Sequence, residues 1–100
     1  MRTEELILVS ELCVYYKVKP QFIAHLHETG LIEVWEVENA SYVHQNTVRD
    51  LERMVRLYHD LNVNPEGIDV VFNLLDRIDE LQAELNSLRH RLQLYEDDRD

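Results

Sequence analysis

One hundred residues allow one small domain, and 20 acidic against 10 basic side chains leave a formal net charge of −10. That balance opposes binding to a phosphate backbone or an anionic membrane, since like charges would meet. A single cysteine, Cys13, excludes an intramolecular disulfide, and no apolar run is long enough to cross a bilayer.

The acidity is spread along the chain. Residues 1–63 carry 10 acidic and 6 basic side chains, and residues 64–100 carry 10 and 4, so neither part offers a basic face. Such a surface suits a basic protein partner or is simply solvated. Glu4 and Glu5 stand where a signal peptide would begin its apolar stretch, so the expected location is the cytoplasm.

In chain order, Leu6–Val9 make a short β-type start. Ser10 is placed to cap a helix, SELCVYYK, with Leu12, Cys13 and Tyr16 turned inward. Val18-Lys19-Pro20 forms a turn, because proline suits the first position of the next helix. That helix, PQFIAHLHETG, carries Phe22, Ile23 and Leu26 on one face and closes on Gly30. Two short helices joined by a tight turn are a helix-turn-helix candidate.

LIEVWEV and SYVHQ alternate polar and apolar residues, with Glu38-Asn39-Ala40 as a hairpin loop between them. This predicts a small two-stranded wing. From Asn46 or Thr47, the residues Val48, Leu51, Met54, Val55, Tyr58 and Leu61 recur at helical spacing. Val63-Asn64 is a joint into a longer helix, with Asn64 as N-cap, Pro65 as first helical residue, and Glu66 and Asp69 in the turn where the helix dipole favours acid.

Within that helix Val71, Leu74, Ile78, Leu81, Leu85, Leu88, Leu92 and Tyr95 follow an unbroken 4-and-3 spacing, the seam of a coiled coil. With Ile78 at position a, Glu84 would face Arg89 and Arg91 would face Glu96 in a parallel pair, although antiparallel pairing stays open. Dimerisation is therefore expected through Ile78, Leu81, Leu85, Leu88, Leu92 and Tyr95. Ile68, Phe72 and Leu75 add a second apolar stripe at the root, which should dock into a globular body while the tip projects. Residues 1–63 then form a winged helix-turn-helix domain and residues 64–100 a dimerisation helix, ending in a frayed EDDRD tail, Glu96–Asp100.

The second short helix offers Gln21, His25, His27 and Glu28 but no arginine or lysine, and Lys17 and Lys19 precede it. Glu33, Glu36 and Glu38 on the wing carry the wrong sign for phosphate, and Arg49, Arg53 and Arg56 are too few to reverse it. His25 and His27 point to different sides of a helix, and His44, His59 and His90 lie on separate elements, so no metal site is expected. Two glycines leave no phosphate-cradling loop, and no nucleophile is flanked by a base, so no cofactor, catalytic residue or enzymatic activity is expected. Trp35, between Glu33 and Glu36, either covers the core at the wing's edge or stands partly exposed as an anchor for a cationic surface.

Helix-turn-helix, hairpin, helix and long helix in this order resemble the MerR-like winged-helix architecture, with Gly30-Leu31 at the step between second helix and wing. The spaced set Glu11-Leu12-Cys13, Val55-Arg56-Leu57-Tyr58-His59-Asp60-Leu61 and Gly67-Ile68, followed by a leucine seam, is similar to the CbpM-type chaperone modulators. The fold so implied is mostly α: a MerR-like winged helix-turn-helix with a small β-hairpin wing and a long C-terminal coiled-coil helix. The function so implied is non-enzymatic: binding the J-domain of a DnaJ-like co-chaperone and blocking its work with an Hsp70-type chaperone. A J-domain's basic helix face would suit an acidic competitor. Glu33, Trp35, Glu36, Glu38, Asp50 and Asp60 are the residues expected to carry that contact. The alternative is a MerR-like DNA-binding transcriptional regulator.

Overall fold

Leu6–Leu8 form strand β1, and Val9–Tyr16 leave it directly as helix α1, in a computed structural model that describes residues 5–97. Leu8 holds the N-cap position with extended backbone and no side-chain cap. Ser10 thus lies inside the first turn and does not cap, because strand pairing of Leu8 with Tyr42 sets where extended backbone gives way to helix. Lys17 ends α1 in the left-handed conformation, φ 58°, and the Val18 N–H donates to the Cys13 carbonyl at 3.0 Å.

Helix α2 spans Pro20–Glu28. Proline opens it at no cost in hydrogen bonds, since an N–H there has no intrahelical acceptor. Past its C-cap, Thr29, Gly30 adopts φ +84°, and the N–H groups of Gly30 and Leu31 donate to the carbonyls of His27 and Leu26, each at 3.0 Å. This is a Schellman stop. A β-carbon at Gly30 would meet open space, so glycine stands there for its backbone alone.

Strands β2 (Trp35–Val37) and β3 (Ala40–His44) form the expected hairpin, and β1 adds a third antiparallel strand in the order β1-β3-β2. Glu38 and Asn39 turn the hairpin with φ 50° and 65°, the two left-handed residues of a type I′ turn. The wing is therefore wider than the two strands that sequence alternation predicts. Its second strand is also shorter. Residues 31–34 are not strand, because Leu31 N–H is tied to α2 and the Ile32 carbonyl accepts from His27 Nδ1 at 3.2 Å.

A 3-10 turn, Gln45–Thr47, leads into α3, Val48–Leu61, which stops at Asn62 in the left-handed region, φ 60°. Helix α4 then runs Pro65–Asp97. The Asn64 side-chain oxygen accepts the Gly67 N–H at 2.9 Å, and its carbonyl accepts the Ile68 N–H at 2.9 Å, so Asn64 is the N-cap. A β-carbon at Gly67 would lie 2.7 Å from Val63 Cγ1, so glycine keeps this capping turn tight. Asn64→Ala should lower stability by about 1 kcal/mol, the usual worth of an N-cap, read from a urea midpoint shift at unchanged slope.

Ile23, Leu26, Val43, Leu51, Met54 and Ile68 are the most deeply buried side chains. They come from α2, β3, α3 and the first turn of α4, and Leu12 and Cys13 of α1 are buried as well, so one core ties the two short helices to the sheet. Phe22 stacks on Tyr58 with centroids 4.3 Å apart. Cys13 is buried in this core, and burial pushes its thiol above the ordinary value of 9.0. Among the described residues no polar or charged side chain is buried.

The chain divides into two compact units between Asp69 and Val70, and α4 is a continuous helix through that point. Within the second unit Val71, Phe72 and Leu75 are half-buried, whereas every residue from Asp76 to Asp97 is exposed. Of the tail expected to fray, Glu96 and Asp97 belong to α4, and residues 98–100 lie outside the described residues.

Candidate functional site

The Schellman stop after α2 and the 3-10 turn before α3 leave a groove of ≈ 510 Å³ against the wing. Glu33, Trp35, His44 and Asp50 line it, with residues 30–32 as its floor along the chain. Glu33 and Asp50 are exposed, and Trp35 is 39% exposed. The indole is thus available while still seated on the sheet, as a partner anchor requires. Neither lysine nor arginine lines the groove.

The Asn46 N–H donates to His44 Nδ1 at 3.2 Å, and His44 Nε2 lies 3.1 Å from Glu5 Oε2. The groove thus combines one indole with the exposed Glu33 and Asp50 carboxylates, groups that take a guanidinium or ammonium through cation–π contact and charge-assisted hydrogen bonds.

Of the six residues expected to form a partner surface, the structure brings Glu33, Trp35 and Asp50 to this one groove. Glu36 pairs with Ser41 and points from the opposite face of β2 to Trp35. Glu38 stands in the hairpin turn. Asp60 lines a separate depression with Tyr15, Tyr16, Glu52 and Arg56. His44, Asn46 and Thr47 also line the wing groove and are not in the predicted set. The alternation of SYVHQ brings His44 to the strand's end, but nothing local in sequence links it to Glu5 or Asp50.

In the separate depression the Tyr16 hydroxyl donates to Glu52 Oε1 at 2.9 Å. Burial foremost, then this bond and the nearby Glu52 charge, push the Tyr16 phenol from 10.0 up to about 12. The folded chain thus holds this proton more tightly than the unfolded one. The resulting stability is complete below pH 10 and is lost as pH rises through about 12. Tyr16→Phe should remove that alkaline loss, measured as urea midpoint against pH for both proteins.

On α2 the core takes Phe22, Ile23 and Leu26, leaving Gln21, Ala24, His27 and Glu28 exposed. His25 Nε2 lies 2.8 Å from Glu66 Oε1, and His59 Nε2 lies 3.1 Å from the Tyr16 carbonyl. Among the described residues no three histidine, cysteine or acidic side chains cluster to hold a metal ion, and no helix is long and apolar enough to cross a membrane. Along α4, Ile78, Leu81, Leu85, Leu88, Leu92 and Tyr95 are 46–66% exposed in the single chain.

Residues 7–90 match the family described as MerR HTH family regulatory protein. Among curated proteins the chain is similar to the chaperone modulatory protein CbpM of Escherichia coli (strain SMS-3-5) and of Shigella boydii serotype 18. Each is 28% identical over 85 residues, covering 84% of this chain and 84% of the relative. No solved structure matches the chain.

Proposed function

The chain belongs to the MerR HTH family of regulatory proteins, and from its similarity to chaperone modulatory proteins we propose that it is a chaperone modulator acting by protein–protein contact rather than by catalysis. Its partner in this reading is the J-domain of a DnaJ-like co-chaperone. The wing groove covers the basic helix face that the J-domain needs for an Hsp70-type chaperone, and so inhibits the pair in the cytoplasm.

One observation carries the reading: Trp35, 39% exposed, lines the same groove as the exposed Glu33 and Asp50, and no lysine or arginine lines it, with Arg53 standing 3.9 Å from Asp50 Oδ1. The net charge of −10 supports it, since a long-range field of one sign steers a basic partner in and raises the encounter rate. The similarity to relatives named as chaperone modulatory proteins supports it too. Trp35 supplies the desolvated anchor that charge alone does not.

Trp35→Ala should weaken J-domain binding by roughly thirty-fold, or about 2 kcal/mol, as a buried aromatic anchor does. Calorimetric titration with a purified J-domain measures it. Unchanged affinity would remove the groove from the contact.

Self-association belongs to the same proposal. The exposed seam of α4, Ile78, Leu81, Leu85, Leu88, Leu92 and Tyr95, pairs with a second copy, in parallel or antiparallel orientation.

The family description favours one other reading, a DNA-binding transcriptional regulator. The exposed side chains of α2 include no arginine or lysine, which leaves its major-groove face without the usual phosphate and guanine contacts. Retardation of a promoter fragment at low salt, abolished by changing Gln21, would establish that reading instead.

A further inference from the structure

Val14 and Tyr15 are 80% and 76% exposed, more than any other large apolar side chains among the described residues, and both lie on α1. Leu12 and Cys13 already give that two-turn helix its core face. A helix packed on one side only would be polar on the other. Here the outer side sets two large apolar side chains beside the exposed Ser10 and Glu11, and it borders two depressions, of ≈ 460 Å³ and ≈ 340 Å³, that share Tyr15.

Acid frames this strip. Glu11 comes from α1, and Glu52 and Asp60 from α3. Arg56 stands one turn from each of the α3 carboxylates, and His59 beside them is 3.1 Å from the Tyr16 carbonyl. Three carboxylates thus face one guanidinium among the lining residues. Lys17 lies at the end of α1 and is not part of the lining. Tyr15 and Tyr16 pack edge to face at 4.9 Å, and the Tyr16 hydroxyl fixes the Glu52 carboxylate.

We propose that the α1–α3 face is a second protein-docking site, distinct from the wing groove, and that its occupant is an arginine-bearing amphipathic helix of a partner protein. Val14 and Tyr15 take the apolar side of that helix, as in other helix-in-groove contacts. The tyrosine faces and the Glu11, Glu52 and Asp60 carboxylates take its guanidinium groups. The site is independent of the first. Asp50, at the wing, and Glu52, at this face, are two residues apart on α3 and so point about 200° apart. One chain is therefore built to hold a partner on each side of α3, whether or not the wing partner is a J-domain.

The test uses the whole protein labelled with ¹⁵N and a synthetic amphipathic helical peptide of leucine, alanine and arginine. The expected result is saturable shifts at the amides of Val14, Tyr15, Glu52 and Asp60. They should weaken at least tenfold with Tyr15→Ala or when glutamate replaces every arginine in the peptide. Trp35→Ala should leave them unchanged. Both substituted side chains are exposed enough that the fold survives, and the rest of the amide spectrum verifies it. Shifts confined to the wing or to α4, no shifts at all, or equal binding of the glutamate peptide would overturn the proposal.

Discussion

If α4 pairs with a second copy as proposed, Leu85→Asp should leave the chain monomeric at concentrations where the wild type is paired, with the dissociation constant raised at least about 100-fold, some 2.7 kcal/mol. Leu85 is 46% exposed in the single chain, at the middle of a seam whose members from Ile78 to Tyr95 are all exposed. A dimer would close those side chains against their copies. An aspartate at position a would then face its own copy across a two-stranded interface, two like charges without water or a counter-charge. The same change costs the isolated helix little, because water reaches the position there. Sedimentation therefore separates the two states, while helix content stays nearly constant. A wild-type monomer at high concentration would show that the seam serves some other helix.

Leu26→Ala should be the most damaging single truncation in the core, lowering stability by roughly 3 kcal/mol. Leu26 is fully buried, as are Val43 on β3 and Leu51 on α3. Its backbone also closes α2, since its carbonyl accepts the Leu31 N–H at 3.0 Å and the Thr29 hydroxyl at 2.9 Å. A cavity there loosens the helix-turn-helix and the floor of the wing groove together. At roughly 4–8 °C per kcal/mol for a domain of this size, the melting temperature should fall by well over 10 °C. Loss of under about 1 kcal/mol would mean that the surrounding side chains collapse into the space.

The positions where backbone chemistry is local were legible in the sequence. Pro20 at a helix start, Gly30 at a helix stop and Asn64 as a cap each act through their own φ angle or a side-chain reach of three residues. The hairpin turn and the buried phase of α3 follow from equally short-range rules, apart from Leu61, which lies exposed at the end of that helix. Ser10 was misplaced because pairing of Leu8 with Tyr42, 34 positions away, decides where the strand ends. The same non-local pairing hid β1 as the third strand. Residues 31–34 alternate like a strand, yet hydrogen bonds to α2 hold them out of the ladder.

The candidate site divides along the same line. Glu33 and Trp35 are neighbours in sequence, and their common groove was foreseeable. Asp50 joins them only because the 3-10 turn after β3 swings the first turn of α3 back to the wing. Asp60 has the same charge and the same helix as Asp50, but ten residues of helical rotation carry it to another face. Charge counting gave the sign of these side chains, and the fold set Asp50 and Asp60 in separate depressions.

In the proposed function an acidic groove with one aromatic anchor recognises a basic J-domain. The deciding measurement is a titration of the wild-type protein with a purified J-domain at low and at high ionic strength. Binding is expected at low salt and should weaken steeply as salt screens the opposed charges. No binding at low salt would contradict it.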